Sequence, residues 1–211
     1  MRILFFGDSI TQGFWDSHGG WVERIRKHYD DLAREDLQNN NKPEVFNLGV
    51  SGDTTINLIT RIENEIVARK WQDDALVVVI AIGTNDNLIE NDVQRVLPDH
   101  FKSNIVEIVD KVRNHTNKLV LVGIPACDES FTSPVSWGNF YYKNSELQSS
   151  EKIIQQFAEK NSILFVPLFD EFKTKMEAKK LLADKFHPND EGHKIIAEKV
   201  LDVISGIKPC T

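Results

Sequence analysis

Five short runs of apolar residues constrain the fold of this chain more than any other feature of its sequence. The runs are Ile3–Phe6, Val45–Val50, Leu76–Ile82, Leu119–Ile124 and Ile163–Leu168. The runs are nearly continuous rather than alternating with polar residues, with Asn47 as the one polar residue in them, which is typical of strands buried on both faces of a parallel sheet. The pattern therefore predicts a parallel sheet that is covered by helices on both sides.

Amphipathic helical patterns separate these runs, with apolar residues recurring at the spacing of one helix face. The stripes are Trp21, Ile25, His28 or Tyr29, and Leu32; Ile59, Ile62 and Ile66; Ile105, Ile108, Val109 and Val112; Ile153 and Phe157; and Ile196, Val200 and Val203. Strands that alternate with helices indicate an α/β fold. We predict a three-layer α/β/α fold with a flavodoxin-like, doubly wound sheet of about five parallel strands. The expected organisation is a single domain over residues 1–211.

Composition and charge exclude several kinds of partner. The net charge is −7, from 32 acidic and 25 basic residues without a dominant basic cluster, so no nucleic-acid partner is expected. No apolar run reaches the length of about 18 residues that a membrane span needs, and the first run is too short for a signal peptide. Cys127 and Cys210 lack metal-ligand spacing and are predicted to be reduced. We therefore expect no stable membrane insertion, and a cytoplasmic location unless a signal peptide has been removed. The sequence carries no signal that distinguishes a monomer from an oligomer.

Small and polar residues follow three of the predicted strands where each strand ends. Gly7-Asp8-Ser9 follows the first, Ser51-Gly52-Asp53 the second and Gly83-Thr84-Asn85-Asp86 the third. Open α/β sheets bind their ligands at the carboxyl ends of the strands. These residues are therefore expected on one rim of the sheet.

A further polar segment, from Asp184 to His193, precedes the last helical pattern. Asp184 stands three residues before His187, and in a turn its carboxylate can hold Nδ1 of that imidazole and leave Nε2 free to accept a proton. A serine is a poor nucleophile until such a histidine activates it. Taken alone, Ser9 also fits a helix cap and Gly52 an ordinary turn glycine. Their joint occurrence with Asp184 and His187 favours a serine hydrolase site.

Related sites fit these residues less well. Thr11 replaces the second glycine of the Gly-x-Ser-x-Gly elbow of α/β-hydrolases, and Ser9 replaces the middle glycine of a dinucleotide fingerprint. A flavodoxin-like phosphate loop at Ser9 and Thr11 stays open, although it leaves Asp184 and His187 without a role. A metal site of Asp184, His187 and His193 has no matching ligand cluster elsewhere, so we predict no metal.

Four blocks of the chain share their residues and their order with a known family. They are Gly7-Asp8-Ser9-Ile10-Thr11, 47–55, Gly83-Thr84-Asn85-Asp86 and 184–189, and together they span almost the whole chain. The sequence resembles the SGNH hydrolases, also called GDSL-type lipases or acylhydrolases. Ile10 stands where the family's name has leucine, and Lys185 stands where many members have glycine.

The resemblance implies a carboxylic ester hydrolase with a Ser-His-Asp triad and an acyl-enzyme. Ser9 would be the nucleophile, His187 its general base and then the acid for the leaving alcohol, and Asp184 the residue that orients His187. No cofactor would be needed.

The resemblance also implies an oxyanion hole. The backbone N–H groups of Ser9 and Gly52 would form it with the side-chain amide of Asn85, an uncharged donor. We interpret Asp8 and Asp86 as loop-organising residues rather than as catalysts.

Aromatic residues near these blocks predict the substrate pocket. Phe14 and Trp15 follow the nucleophile, and the long connection 125–142 contains Trp137 and Tyr141. A segment so long and aromatic can wall a pocket or act as a lid, or it can pack onto the body of the protein.

The family's breadth leaves the substrate open. We favour a small-molecule ester with a short acyl chain over a bilayer lipid. The alternatives are a carbohydrate O-acetyl esterase, a thioesterase or a lysophospholipase, and the non-enzymatic alternative is a flavodoxin-like ligand-binding module.

Overall fold

A computed structural model describes residues 1–35, 42–72, 74–130, 134–135 and 138–207, and leaves the side chains of 176–179 undescribed. The strands are β1 (Arg2–Gly7), β2 (Glu44–Gly49), β3 (Leu76–Ala81), β4 (Ile89–Glu90), β5 (Val93–Gln94), β6 (Leu119–Val122), β7 (Phe140–Tyr141) and β8 (Leu164–Val166). The helices are α1 (Ser9–Gln12), α2 (Trp21–Glu35), α3 (Thr55–Arg69), α4 (Pro98–Arg113), α5 (Asn144–Lys160), α6 (Phe169–Lys179) and α7 (Asp190–Ile204). A 3₁₀ turn, Asn85–Asn87, follows β3.

The central sheet has the order β2-β1-β3-β6-β8, and its strands are parallel. When these five strands are numbered by their order in the chain, their order in the sheet is the flavodoxin-like 2-1-3-4-5. The switch point of the sheet lies between β1 and β3. Four consecutive residues of β1, Ile3 to Phe6, are fully buried, as expected for a strand covered on both faces. The predicted three-layer α/β/α fold and its parallel sheet are confirmed.

The last two strands of this sheet end earlier than the apolar runs that predicted them. The reason is Glu151 of α5, a buried side chain. Its carboxylate accepts hydrogen bonds from the backbone N–H of Ile124 at 2.7 Å and of Leu168 and Phe169 at 3.1–3.2 Å. These groups therefore bind a side chain instead of extending the ladder.

Two groups of helices cover the sheet. α2 packs against α7, and α3 packs against α4, which in turn contacts α5. Trp21 and Ile25 of α2 are fully buried, but Leu32, which the helical period placed on the same face, is half exposed. No helix in the described ranges is long and apolar enough to cross a membrane.

A second, small antiparallel sheet has the order β5-β4-β7. Ile89 pairs with Tyr141, and Glu90 pairs with Phe140. The end of the long 125–142 connection is therefore a strand and not a bare loop. Two-residue strands fall below the length at which alternation can be read from a sequence.

Candidate active site

Ser9 lies at the start of a short helix that begins directly after β1. Only glycine has room at position 7, because a Cβ there would lie 2.1 Å from Thr11 Oγ1 and 2.4 Å from the Ala81 carbonyl. Asp8 caps the helix by accepting a hydrogen bond from the Ile10 N–H at 2.9 Å. The apolar strand therefore ends by presenting the Ser9 hydroxyl at the carboxyl edge of the sheet.

Hydrogen bonds connect Ser9 to His187 and His187 to Asp184. The Ser9 Oγ lies 3.0 Å from His187 Nε2, and His187 Nδ1 lies 2.7 Å from Asp184 Oδ2. These are ordinary hydrogen-bond lengths, although Ser9 and His187 are 178 positions apart in the chain. The structure thus brings together the three residues that the sequence singled out.

The turn between Asp184 and His187 has an unusual backbone. The other carboxylate oxygen of Asp184 accepts hydrogen bonds from the N–H groups of Phe186 at 3.1 Å and His187 at 2.7 Å. Lys185 adopts a left-handed φ of 67°, a conformation that glycine adopts without steric cost. Glycine would therefore fit this position with less backbone strain than Lys185.

Asp184 is held as a carboxylate. Partial burial raises its pKa, but hydrogen bonds and charge from His187, together with the Phe186 N–H, outweigh burial and bring the pKa to about 2. An ionised carboxylate at this place can orient the imidazole and stabilise its protonated form.

Gly52 and Asn85 face the same cleft as Ser9. Gly52 has a φ of 83°, and an added Cβ there would meet nothing within 4 Å, so the backbone conformation and not crowding favours glycine. Asn85 donates one N–H to the Asp53 carbonyl at 3.0 Å, and its Oδ1 lies 3.4 Å from the Tyr142 hydroxyl. Its amide is therefore oriented from two sides.

The cleft is open to solvent and has a volume of about 350 Å³. It is lined by Ser9, Phe14, Trp15, Ser51, Gly52, Asn85, Tyr142, Asp184, Phe186 and His187. Aromatic rings form its walls: the centroid of the Phe14 ring lies 5.7 Å from that of His187, and the Tyr142 and Phe186 rings are 4.2 Å apart.

Two of the four predicted pocket residues, Phe14 and Trp15, lie in this cleft. Tyr141 does not line it; its neighbour Tyr142 does, because adjacent side chains of a strand and its extension point to opposite sides. Trp137 lies outside the described residues. Phe186 was not predicted, although its position directly before His187 was a signal for it.

The family model for GDSL-like lipases and acylhydrolases matches residues 5–195. This chain belongs to that family. The resemblance stated from the sequence is therefore confirmed, and with it the expectation of a carboxylic ester hydrolase over a non-enzymatic module.

Individual members of the family are similar over nearly the whole chain. An acetylxylan esterase of Geobacillus stearothermophilus is 25% identical over an alignment that covers 95% of this chain and 92% of that protein. The crystal structure of a lipase/acylhydrolase from Enterococcus faecalis superimposes with a TM-score of 0.76 at 22% identity, covering 100% of this chain and 98% of the other. That of an acetylxylan esterase from Geobacillus stearothermophilus gives 0.74 at 22% identity, covering 98% and 94%.

Two further acids of the family's sequence blocks are buried beside the cleft. Asp8 is 2% exposed, and burial raises its pKa to about 6. Asp86 is fully buried and accepts hydrogen bonds from the Thr55 N–H at 3.1 Å and the Thr55 hydroxyl at 2.5 Å; burial raises its pKa to about 6 as well. Asp86 thereby joins the turn after β3 to the start of α3.

One group of possible metal ligands occurs within the described ranges. Ligand atoms of Asp16, His18 and Asp190 lie within 4.8 Å of one another. The Arg24 guanidinium, however, donates to both carboxylate oxygens of Asp16 at 2.8 and 2.7 Å. A cation already neutralises this carboxylate, so the group is better described as an ion pair that fixes the loop.

His193, which ends the polar segment noted in the sequence, lies in α7 and is fully buried behind the cleft. Its Nδ1 accepts the Trp21 N–H at 3.3 Å, and its Nε2 lies 2.9 Å from the Phe14 carbonyl, to which it donates. Only the neutral ring can make both bonds. Burial lowers the pKa of His193 below its ordinary value of 6.5.

Wild-type protein should become less stable on mild acidification, and we expect the His193→Gln variant to lose less stability over the same pH range. Because the folded state favours the neutral ring, the unfolded chain binds more protons once the pH falls below 6.5, and the free energy of unfolding decreases until the folded-state pKa is passed. Glutamine can accept and donate as the neutral ring does but does not titrate. Urea titrations between about pH 5 and 7 measure the free energy of unfolding of both proteins. If this free energy depends on pH in the same way in both proteins, the prediction is wrong.

Proposed function

We propose that this family member hydrolyses small carboxylic esters in two steps through an acyl-enzyme on Ser9. The observation that carries the proposal is the continuous hydrogen-bonded chain from Ser9 Oγ to His187 at 3.0 Å and on to Asp184 at 2.7 Å, at the base of an open cleft. A nucleophile, a base and an orienting carboxylate within hydrogen-bond reach are what acyl transfer requires.

In the first step, Ser9 Oγ attacks the ester carbonyl while its proton moves to His187 Nε2. The Ser9 and Gly52 N–H groups and the Asn85 amide stabilise the oxyanion. The tetrahedral intermediate then expels the alcohol, which takes the proton from His187. Asp184 stabilises the imidazolium and keeps its own charge.

In the second step, water gives a proton to His187 and attacks the acyl-enzyme. The acid leaves, and the proton returns to Ser9. In this scheme Asp8 and Asp86 hold the two loops that carry Ser9 and Asn85, through their bonds to Ile10 and Thr55.

The cleft favours a neutral ester of small size. Its walls are aromatic, and none of the described residues lining it is lysine or arginine. A phosphate headgroup would therefore find no cationic partner there, which disfavours lysophospholipids.

A sugar O-acetyl ester is the second candidate. Trp15 lies at the cleft with 62% of its surface exposed, and an exposed aromatic face suits the apolar face of a sugar ring. Relatives of this chain are named acetylxylan esterases. The two candidates share the chemistry and differ only in the alcohol.

Covalent labelling tests the proposal. A fluorophosphonate should modify wild-type protein once, on the peptide that contains Ser9, and the Ser9→Ala variant should remain unlabelled. Ser51→Ala is the matched control, because Ser51 also lines the cleft and its loss should leave labelling intact. Labelling elsewhere, or none, would contradict the proposal; rates on p-nitrophenyl acetate through decanoate and on acetylated xylo-oligosaccharides then identify the preferred ester.

A further inference from the structure

Asp184 receives four hydrogen bonds, and one comes from outside its own turn. Oδ1 accepts the backbone N–H groups of Phe186 and His187. Oδ2 accepts His187 Nδ1–H and also the indole N–H of Trp15, at 3.0 Å. Trp15 therefore binds the same oxygen that holds the imidazole.

The conformation of Trp15 has no evident basis in folding. Its side chain is 62% exposed, so it adds little to the core. Its φ is 65°, in the left-handed region that bulky residues rarely adopt. Backbone strain of this kind occurs preferentially at functional sites.

Anchors on both sides of Trp15 fix where its ring can lie. The Phe14 carbonyl accepts a hydrogen bond from buried His193 at 2.9 Å. The Asp16 carboxylate accepts the Gly20 N–H at 2.9 Å and the Arg24 guanidinium at 2.7 Å. The loop that follows the nucleophile is therefore built so that the indole reaches Asp184.

We propose that Trp15 is a positioning residue for the reaction: its indole N–H fixes the Asp184 carboxylate and thereby the orientation of the His187 ring. The inference rests on the proposed function and adds to it a fourth group that acts through the Ser9–His187–Asp184 chain. The same ring also lines the substrate cleft, so Trp15 contacts both the cleft and the Asp184 carboxylate.

The hydrogen bond has a predictable effect on the pH dependence. A donor on Oδ2 makes the carboxylate less basic. Without it, Asp184 would hold the His187 proton more strongly, and the acid limb of the kcat/KM profile would move to higher pH. The ring would also lose a constraint on its orientation, which lowers kcat.

A tryptophan analogue without the N–H distinguishes the hydrogen bond to Asp184 from the contribution of the ring to the cleft wall. Benzothienylalanine keeps the size and aromatic faces of the indole but replaces the donor by sulfur. Introduced at position 15, it is expected to lower kcat about threefold to tenfold with KM within about twofold of wild type. The acid limb should move to higher pH. Trp15→Phe should show the same acid-limb shift, with an added change in KM.

The matched control is the same analogue at Trp71, which is 57% exposed and lies outside the cleft; it should leave kcat and the acid limb as in wild type. Wild-type kcat and an unmoved acid limb for the analogue at position 15 would overturn the role of Trp15. Fluorophosphonate titration of each protein distinguishes failure of the two proposals. If wild-type protein is not labelled on Ser9, the proposed function itself is wrong. If Ser9 is fully labelled but the analogue at position 15 leaves the pH profile unchanged, only the role of Trp15 is wrong.

Discussion

Ser9→Ala and His187→Ala should each lower kcat for p-nitrophenyl acetate by about 10⁴-fold or more, and the double variant should be no slower than the slower single variant. The hydroxyl is a weak nucleophile until His187 takes its proton, and the imidazole has nothing to deprotonate once the hydroxyl is gone. The 3.0 Å contact between them means that they act as one unit. Their losses are therefore not additive.

Initial rates under saturating ester, corrected for spontaneous hydrolysis, measure this effect. Thermal unfolding of each variant shows whether the fold is retained. His28→Ala is the histidine control, because His28 is exposed on α2 and its removal should leave kcat unchanged. Multiplicative losses in the double variant would mean that Ser9 and His187 act independently, and a Ser9→Ala protein with the wild-type rate would remove Ser9 from the mechanism.

The inner strands of the sheet, β1, β3 and β6, could be predicted from the sequence because burial on both faces leaves a continuous apolar run. Ile3 to Phe6 has no exposed side, so its composition directly reflects its place in the fold. The positions of Ser9, Gly52 and Asn85 followed from a general property of parallel sheets, whose carboxyl ends share one edge. The pairing of Asp184 with His187 followed from a spacing that a single turn can close.

Features that depend on contacts between distant elements could not be predicted in this way. The early ends of β6 and β8 come from Glu151, one of three acids in α5, and the sequence does not show which of the three is buried. The contact of Trp15 with Asp184 joins residues 169 positions apart and needs a left-handed backbone that tryptophan does not signal. The position of Tyr142, rather than Tyr141, in the cleft depends on the register of a two-residue strand.

Asn85 is the proposed oxyanion donor whose side chain can be removed without touching the nucleophile. Its amide donates one N–H to the Asp53 carbonyl at 3.0 Å, while its oxygen faces the Tyr142 hydroxyl. With the oxygen and one hydrogen so committed, the second N–H is the group that can serve the substrate. A donor already oriented before the reaction needs no rearrangement when charge develops on the carbonyl oxygen.

We therefore expect Asn85→Ala to lower kcat by about 10²- to 10³-fold, with KM within about twofold of wild type. The reason is that the lost hydrogen bond is strong only when the carbonyl oxygen carries negative charge. Asn87→Ala is the matched control: Asn87 is also buried and bonds to Gly83 and Ser150, but it does not line the cleft. Its variant should unfold at lower temperature and keep kcat. A preserved kcat with a raised KM in Asn85→Ala would assign Asn85 to ground-state binding instead of to the oxyanion.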